Sequence, residues 1–209
     1  MKDLRVNYTN GQLVEGNFPD DPFVLFNLWF NDAQSSDKIK EANAMVLSTV
    51  NQQSVDSRTV LLKDLRNNQF VFYTNYGSNK GQQLNECPNC TLLFPWIGLE
   101  RQVIVRGIAS KVSYQESTEY FLSRPRSSQI GAWASSQSRL IASRVELEDQ
   151  LASFTDKFEN EPITKPKDWG GYEVSPIQIE FWQGRENRLH DRILFENHNG
   201  VWQYKRLQP

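Results

Sequence analysis

The stretch Ser57–Lys80 constrains the fold of this chain most, because strand, turn and helix signals follow one another in it without interruption. The tetrapeptide Arg66-Asn67-Asn68-Gln69 is typical of a tight turn, and it separates two runs of residues that favour strands. Tyr76-Gly77 is a second turn signal, and a helix is predicted from Ser78. The sequence therefore predicts two strands joined by a turn and followed by a helix.

Three cations make this stretch a candidate anion site. Arg58 and Lys63 lie at the two ends of the first predicted strand, and Lys80 falls in the first turn of the helix. Helix N-termini and nearby cations favour phosphate groups. On an extended strand Arg58 and Lys63 point to opposite faces and lie about 16 Å apart. We therefore expect two phosphates, or one ligand that wraps the strand. The alternative is that these cations are the solvated ends of core strands.

The charge of the chain limits its partners. The 209 residues carry a formal net charge of −2 with both signs mixed, which argues against nucleic-acid binding. The N-terminal segment lacks the apolar core of a signal peptide, and no later apolar run has the length of a membrane span. We expect a cytoplasmic protein with no nucleic-acid and no membrane partner, so any anion site must be local.

The cysteines Cys87 and Cys90 form a C-x-x-C pair, which occurs in redox centres and in zinc sites. A zinc site needs further ligands, and both histidines, His190 and His198, are far away in sequence. We interpret the pair as the end of a helix, stopped by Pro88, and the start of a strand. No metal site is predicted.

The N-terminal residues 1–20 are polar and rich in turn formers, so we expect an arm that lies on the surface or covers a site. Residues 21–209 are predicted to form a single domain. Asp21-Pro22 is typical of a helix start, with an acidic N-cap followed by proline. Helical spacing assigns the next aromatic side chains to the core: Phe23, Phe26, Trp29 and Phe30.

Two capping boxes predict further helices. Ser113 with Glu116 opens one helix, and Ser143 with Glu146 opens another. The segment between them, residues 123–144, is rich in serine and arginine and also contains aromatic and apolar residues. We expect it to be neither hydrophobic core nor a simple linker.

Short strand-like runs fill the rest of the chain, and Gly184 and Asn199-Gly200 are turn signals among the last of them. Pro95 lies inside one run and predicts an edge or bulged strand there. Strands and helices do not alternate, and neither of the glycine-rich nucleotide-binding motifs is present. The predicted fold class is mainly β, an antiparallel barrel with peripheral helices.

The segment 188–192, RLHDR, is a second candidate site. In a strand, Arg188, His190 and Arg192 would all point to one face. Three cations on one face repel one another unless an anion or an electron-rich ligand lies among them. A charged edge strand is the alternative.

Tyr120 and Arg124 are four residues apart on a predicted helix, with Ser128 just beyond the break at Pro125. Two hydroxyls and a guanidinium make a good phosphate clamp, although they are equally typical of an ordinary helix end. Four further residues carry no signal by themselves: Gln102, Gln137, Ser138 and Trp182.

Taken together, these segments resemble one family, the FMN-dependent pyridoxamine 5′-phosphate oxidases. The resemblance extends over nearly the whole chain. It is carried by RTVLLK (58–63), FYTNYGSNK (72–80), LLFPW and LERQV (within 92–103), YFLSRPRSSQIGAWASSQS (120–138), WGGYEVSPIQIEFWQG (169–184) and RLHDR (188–192).

The resemblance implies a split β-barrel homodimer with FMN at the subunit interface, where the partner supplies Gln137 and Ser138. The residues that it implies for FMN are Arg58, Lys63, Tyr73, Thr74, Asn79, Lys80, Gln102, Gln137, Ser138, Trp182 and Arg192. Those that it implies for the phosphorylated substrate are Arg5, Tyr8, Lys63, Tyr120, Arg124, Ser128, Arg188 and His190. Two phosphorylated ligands would explain the spacing of Arg58 and Lys63.

Two positions depart from the family pattern. Arginine is frequent in the family where this chain has Asn79, so one cation is missing from the implied FMN phosphate site. The arm frequently reads Arg-Arg-Glu-Tyr, whereas this chain has Arg5-Val6-Asn7-Tyr8. Of the arm, only Arg5 and Tyr8 can therefore be assigned to the substrate.

The implied reaction oxidises pyridoxamine 5′-phosphate or pyridoxine 5′-phosphate to pyridoxal 5′-phosphate. In the family, a hydride passes from the substrate C4′ to flavin N5, and oxygen then reoxidises the flavin and yields hydrogen peroxide. Arg188 and His190 are the implied catalytic residues, placed beside the pyridine ring. The alternatives are a non-catalytic protein that binds FMN or pyridoxal phosphate, and a flavin reductase, for which no nicotinamide-binding motif is present.

Overall fold

The computed structural model describes residues 7–209, and antiparallel strands make up most of its regular structure. Its five α-helices are α1 (Pro22–Ser35), α2 (Asn79–Glu86), α3 (Tyr114–Ser123), α4 (Arg126–Ala134) and α5 (Arg144–Lys157). Its nine strands are β1 (Ala44–Asn51), β2 (Ser54–Leu61), β3 (Asp64–Arg66), β4 (Gln69–Asn75), β5 (Asn89–Trp96), β6 (Arg101–Lys111), β7 (Trp169–Gln183), β8 (Asp191–His198) and β9 (Val201–Leu207). None of the helices described is long and apolar enough to cross a membrane. The mainly β prediction with peripheral helices is confirmed.

All strands belong to one sheet in the order β2-β1-β5-β6-β7-β4-β3, with β8 and β9 continuing from β7. If this path were flat, its outer strands β2 and β3 would lie about 29 Å apart, since neighbouring strands are spaced by about 4.8 Å. The chain joins them by Leu62 and Lys63 alone, so their ends are at most about 11 Å apart. The sheet must therefore curl until its two outer strands nearly meet.

The curl is helped by an irregularity in the two longest strands. The register between β6 and β7 shifts at Arg106/Gly107, and Gly107 pairs with Pro176. A Cβ on Gly107 would lie 2.5 Å from the carbonyl oxygen of Ser175. Glycine is required here because the two strands approach too closely for any side chain.

Apolar side chains fill the inside of the curled sheet, and α1 packs against them. Phe26 is 1% exposed, and its ring lies 5.0 Å from the rings of Phe70 and Phe94. Trp29 packs edge-on against Phe181 at 5.3 Å. A second, smaller cluster lies under α3, α4 and the start of β7, with Phe121, Ile130, Phe158, Ile163 and Trp169.

The predicted helix starts are confirmed by their caps. Asp21 Oδ1 accepts hydrogen bonds from the amides of Phe23 (2.7 Å) and Val24 (3.4 Å), as expected of an N-cap before Pro22. The serine caps of both predicted boxes are present: the Ser113 and Ser143 hydroxyls accept from the amides of the glutamates three residues later, each at 3.1 Å.

The predicted turns are also confirmed. Asn67 and Asn68 both have positive φ (49° and 63°) between β3 and β4, and Asn199 and Gly200 do likewise (55° and 90°) between β8 and β9. Two left-handed residues in succession are typical of the type I′ turn that suits the twist of a hairpin. The CPNC segment ends α2 at Cys87 and enters β5, as interpreted from the sequence.

The edge-strand prediction for Pro95 is wrong. The strand that contains it, β5, lies in the interior of the sheet between β1 and β6. The pairing with β1 stops at Leu93, and Pro95 pairs only with Gln102 of β6. Because the pairing between β1 and β5 has already ended, the proline removes no hydrogen bond from it, and an interior strand tolerates Pro95 at this position.

The prediction that residues 123–144 are not hydrophobic core is wrong for part of the segment. Part of the segment forms α4, in which Ile130 and Ala134 are 6% and 5% exposed. Helix α5 behaves in the opposite way, since no residue inside it is buried. The serine residues interrupt the apolar pattern of this segment, so the sequence does not indicate that α4 is a short helix covering the second cluster.

Two acidic side chains fasten the N-terminal arm to the end of the sheet. Glu100 Oε2 accepts from the amides of Thr9 (2.7 Å) and Asn10 (2.9 Å), and Asp191 Oδ2 accepts from the amide of Leu13 (3.0 Å). Arg206 Nε and NH2 donate to both carboxylate oxygens of Glu15, and its NH1 donates to Asp191 Oδ1 at 2.7 Å. The pairing of Arg206, Glu15 and Asp191 is called the arm latch below.

The hydrogen bond from Arg206 lowers the pKa of Glu15 from 4.5 to about 2. A carboxyl whose pKa is lowered by folding stabilises the folded state at pH values above the unfolded pKa, and loses this effect as the pH falls through the folded pKa. The contribution of Glu15 is therefore complete above about pH 4.5 and disappears between pH 4.5 and about 2. Around neutral pH Glu15 does not titrate.

We predict that Arg206→Ala loosens the arm while leaving the sheet intact. Exposed ion pairs contribute little each, so protection of the Leu13 amide should fall roughly 3- to 10-fold. The measurement is hydrogen–deuterium exchange of the peptide spanning residues 7–17. The control is Arg144→Ala, which removes an exposed pair with Glu148 on α5. Equal protection of the arm in both variants would contradict the latch.

Candidate functional site

The principal cavity has a volume of about 850 Å³ and lies between the curled sheet and helices α3 and α4. We call it the main cavity. It brings together ten of the predicted site residues: Arg58, Lys63, Tyr73, Thr74, Lys80, Tyr120, Arg124, Ser128, Gln137 and Ser138. Residues that are up to 80 positions apart in sequence thus share one site.

The curl of the sheet explains why Arg58 and Lys63 meet in this cavity. Both were expected at the ends of one strand, on opposite faces. The chain instead leaves β2 at Leu61 and enters β3 at Asp64, so Lys63 lies in the link between two different strands. The expectation that Arg58 and Lys63 form the two ends of one strand is therefore wrong, because Lys63 lies beyond the end of β2.

The cations of the main cavity lack counterions among the described residues. Among the described residues that line it are four cations and no carboxylate. Within residues 7–209, Arg124 NH1 is buried without a hydrogen-bond partner, and the Lys80 ammonium has only the neutral oxygens of Ser78 (3.4 Å) and Gln137 (3.2 Å). A buried unpaired cation is costly, and an anion would relieve that cost.

The same imbalance is visible in the acid–base properties of these side chains. Burial lowers the pKa of Arg58, of Arg124 and of Lys80, and for Lys80 the charge of Arg58 lowers it further. Burial raises the pKa of Tyr73 and of Tyr120, so both phenols keep their protons and can donate hydrogen bonds. The cavity is therefore suited to binding anions, and more than one of them.

Gln137 reaches the main cavity of its own chain. Its Oε1 accepts from Thr74 Oγ1 at 3.1 Å and from Lys80 Nζ at 3.2 Å. Ser138 lines the same cavity with a positive φ of 69°. Both residues thus line the cavity of their own chain, because the segment after α4 contacts Thr74 and the first turn of α2; a contribution from a partner subunit stays a prediction.

Trp169 is a cavity residue that the sequence did not reveal. Its ring lies nearly parallel to those of Tyr73 (5.5 Å, 10°) and Tyr120 (6.2 Å, 5°), and the Arg124 guanidinium lies 4.8 Å from its centre. These contacts hold Arg124 against an aromatic wall. The signal that could have found it is the WGG motif at the start of β7, whose glycines let the strand approach other side chains closely.

A second group of predicted residues lies elsewhere. The rings of Tyr8, Trp182 and His190 form an aromatic cluster, with centroids 5.8 Å apart for Tyr8–Trp182, 5.7 Å for Tyr8–His190 and 4.7 Å for Trp182–His190. Gln102 pairs with Trp182 across β6 and β7. The anchored arm thus contributes Tyr8 to this cluster.

The prediction that Arg188, His190 and Arg192 share one face of a strand is wrong. Residues 186–188 form a 3-10 turn in which Asn187 and Arg188 have φ of 56° and 63°, and β8 begins only at Asp191. Consecutive left-handed residues other than glycine store strain and occur preferentially at functional sites. His190 is held in a loop by its Nδ1, which accepts from the amide of Arg185 at 3.0 Å.

Arg192 already has a counterion in this chain. Glu180 is 2% exposed, and its carboxylate accepts from Arg192 Nε at 2.8 Å and NH2 at 2.7 Å. Asn79 is exposed at the start of α2 and does not line the main cavity. Arg5 lies outside the described residues, so its assignment stays a prediction.

The main cavity and the aromatic cluster lie at opposite ends of β7. Tyr73 and Thr74 pair with Gly171 and Gly170, near the start of that strand, whereas Trp182 lies one residue before its end. Ten residues of strand lie between Gly171 and Trp182, and the eleven steps along the chain span about 36 Å at the usual rise. None of Tyr8, Trp182 and His190 lines the main cavity of its own chain.

Comparison with known proteins gives consistent matches over the whole chain. A family model described as pyridoxamine 5′-phosphate oxidase matches residues 32–157, and one described as the pyridoxine 5′-phosphate oxidase C-terminal dimerisation region matches residues 169–209. A pyridoxine/pyridoxamine 5′-phosphate oxidase of Synechocystis sp. is 50% identical over 210 residues, covering 100% of this chain and 98% of its own length.

Two solved structures share the fold. PhzG from Burkholderia lata, in complex with tetrahydrophenazine-1-carboxylic acid, has a TM-score of 0.88 at 23% identity, covering 96% of this chain and 100% of its own. A pyridoxamine 5′-phosphate oxidase-related, FMN binding protein from Nostoc punctiforme has a TM-score of 0.71 at 15% identity, covering 90% and 98%. At these identities the likeness concerns the fold alone.

The unpaired guanidinium gives a test of the cavity that needs no ligand. We predict that Arg124→Met leaves the free energy of unfolding of the ligand-free protein within about 0.5 kcal/mol, because methionine removes an unsatisfied group while keeping most of the apolar contact. The control is Arg126→Met, which loses the hydrogen bond that Arg126 donates to the Phe158 carbonyl and should cost about 1 kcal/mol. Denaturant unfolding measures both. If Arg124→Met lowered the free energy of unfolding more than Arg126→Met does, the conclusion that the Arg124 guanidinium is unpaired would be refuted.

Proposed function

The chain belongs to the pyridoxamine 5′-phosphate oxidase family, and from this premise we propose that it oxidises pyridoxamine 5′-phosphate or pyridoxine 5′-phosphate to pyridoxal 5′-phosphate with FMN as cofactor and oxygen as electron acceptor. The observation that carries the proposal is the main cavity, with four cations, no carboxylate among the described lining residues and a buried unpaired Arg124 NH1. A cofactor and a substrate that each bear a phosphate would supply the missing negative charge.

The residues present fit such a pair of ligands. We assign Arg58 and Lys80 to the FMN phosphate, because the two lie close enough for their charges to lower the pKa of Lys80. Arg124, Tyr120 and Ser128 are assigned to the substrate phosphate, since they line the part of the cavity formed by α3 and α4. Lys63 lies in the link between β2 and β3 and is assigned to both ligands.

We further propose that the protein is a homodimer whose sheet is a split β-barrel. The match of residues 169–209 to a C-terminal dimerisation region supports the dimer, and the short link between β2 and β3 supports near-closure of the barrel. The dimer resolves the separation of the main cavity from the aromatic cluster. Each site would combine the main cavity of one subunit with the partner subunit's Trp182, Arg188, His190 and Arg192.

This division changes which residues cross between subunits. The family resemblance suggested that Gln137 and Ser138 come from the partner, but Gln137 bonds to Thr74 and Lys80 of its own chain. The ten residues of β7 between Gly171 and Trp182 instead favour the partner as the source of the aromatic cluster. FMN would then lie between the two groups, in contact with both subunits.

In this arrangement the residues of the cavity bind and orient. Arg124, backed by Trp169 at 4.8 Å, would fix the substrate phosphate, and the protonated phenol of Tyr120 would donate a hydrogen bond to it. Fixing that phosphate restricts the pyridine ring to one position, and such pre-orientation accelerates a reaction without any proton transfer. FMN, when bound, would supply the chemistry by accepting one hydride equivalent, that is two electrons and a proton, and passing the two electrons to oxygen.

The partner subunit's His190 would act as a hydrogen-bond donor. Its Nδ1 accepts from the amide of Arg185 at 3.0 Å, so the neutral ring carries its proton on Nε2. That N–H is available to polarise an oxygen of the substrate. Arg188, exposed at the strained turn, would lie beside the pyridine ring and hold positive charge there.

The first experiment separates the two phosphate assignments. Purified protein mixed with pyridoxamine 5′-phosphate and oxygen should release pyridoxal 5′-phosphate and hydrogen peroxide. We predict that Arg124→Met keeps its flavin and loses 10- to 100-fold in kcat/KM, since a hydrogen bond to a charged group contributes roughly 1.5 to 3 kcal/mol. The matched variant Arg58→Ala should be purified depleted in flavin and regain activity when FMN is added in excess.

Flavin absorbance and steady-state kinetics on the two variants decide the assignment. A colourless Arg124→Met beside a fully yellow Arg58→Ala would reverse the two sites. Yellow wild-type protein without turnover would overturn the oxidase proposal and favour a protein that binds FMN without catalysis.

The second experiment tests the division of the site between subunits. Arg124→Met damages the cavity half and His190→Ala the aromatic half, so a mixed dimer of the two has one doubly damaged and one intact site. Random subunit exchange makes about half of the dimers mixed, and we predict recovery to about 25% of wild-type activity from two nearly inactive parents. A site built within one chain gives no recovery, because both sites of every mixed dimer stay damaged. Exchange itself is verified with a tagged subunit.

A further inference from the structure

The Arg58 guanidinium is held by a network of neutral groups that lies behind the main cavity. Its NH1 donates to the carbonyl oxygen of Leu47 (3.2 Å) and to Thr49 Oγ1 (2.5 Å), and its NH2 donates to Gln83 Oε1 (3.2 Å). Thr49 is 1% exposed and Gln83 is 7% exposed. These partners are therefore shielded from water, so water competes little for their hydrogen bonds to Arg58.

The carboxamide of Gln83 connects the network to a carboxylate. Its Oε1 also accepts from Thr49 Oγ1 at 2.6 Å, and its Nε2 donates to Asp56 Oδ2 at 2.6 Å. Asp56 Oδ2 accepts in addition from Asn51 Nδ2 at 3.1 Å. Every member of the network thus has a partner of the opposite kind, which is the condition under which a buried polar network rigidifies its surroundings.

The orientation of Gln83 follows from its neighbours. If the carboxamide were reversed, its NH2 group would face the donors of Arg58 and its oxygen would face the carboxylate of Asp56. Both contacts would be repulsive. Asp56 therefore fixes the direction of the carboxamide, and the carboxamide presents its oxygen to Arg58.

The network leaves part of Arg58 free. A guanidinium has five N–H donors, and the bonds to Leu47, Thr49 and Gln83 use three of them. Among residues 7–209 the Nε–H and the second N–H of NH2 have no protein partner within hydrogen-bond distance. Because Arg58 lines the main cavity, these two donors remain for a ligand, and a pair of donors on one guanidinium suits a phosphate.

We propose that Gln83 is a positioning residue for the cofactor phosphate. It does not line the main cavity but acts through Arg58, whose guanidinium it holds with Thr49 and Asp56 so that two donors face the ligand. The inference rests on the proposed function, in which Arg58 binds the FMN phosphate. Positioning lowers the cost of ordering a long side chain when the ligand binds, so it contributes affinity without a direct contact.

The test compares FMN with riboflavin, which has the same ring system and no phosphate. Full-length protein freed of flavin is titrated with each ligand, and quenching of flavin fluorescence gives both dissociation constants. We predict that Gln83→Met weakens FMN binding on the order of 10-fold and leaves the dissociation constant of riboflavin unchanged. The control is Gln82→Met on the same helix, where the side chain is exposed; it should leave both constants unchanged.

A double variant distinguishes positioning from a general loss of structure. If Gln83 acts only through Arg58, adding Gln83→Met to Arg58→Ala should change FMN affinity less than 2-fold. An additive loss in the double variant, or an equal loss of riboflavin in Gln83→Met, would overturn the inference. FMN affinity unchanged in Gln83→Met but reduced in Arg58→Ala would overturn it and leave the proposed function standing. FMN affinity unchanged in Arg58→Ala would remove the assignment of Arg58 as well.

Discussion

The two-residue link between β2 and β3 is the constraint on which the rest of the structure depends. Leu62 and Lys63 join the outer strands of a seven-strand path, and a chain of that length cannot span a flat sheet. The sheet therefore curls, its inner face encloses the aromatic core around Phe26, and its outer strands approach each other. Arg58 on β2 and Tyr73 on β4 belong to strands far apart in the sheet order, yet they share the main cavity as a direct result.

Charge is handled in two different ways in this molecule. Where a carboxylate is buried, cations satisfy it: Glu180 accepts from Arg192 and lies 3.5 Å from Arg106. In the main cavity, by contrast, Arg124 and Lys80 have no acidic partner among the described residues. The net charge of −2 conceals this difference, because composition averages over sites. A local excess of unpaired cations is stabilised only when an anion binds, and this makes the cavity specific for charged ligands.

The sequence predicted what depends on neighbouring residues. The N-cap at Asp21 and the turn at Asn67-Asn68 follow from local chemistry, and both are present. Contacts between residues far apart in sequence were predicted less well. The alternation rule failed in the RLHDR segment because Arg188 adopts a left-handed conformation that no pattern of hydrophobicity reveals. Gln83 gave no signal either, since a glutamine inside a polar helix is unremarkable until the fold brings Asp56 and Arg58 against it.

The division of the predicted residues along β7 has a thermodynamic consequence. A ligand that contacts the main cavity of one subunit and the partner subunit's Trp182 binds the dimer and not the separated chains. Such a ligand stabilises the dimer by mass action. Because linkage between binding events is reciprocal, dimerisation must increase the affinity for the ligand by the same factor. In the proposed dimer, the separation of the two groups along β7 therefore ties assembly to cofactor retention. A substitution far from any ligand can then cause loss of flavin simply by weakening the contact between subunits.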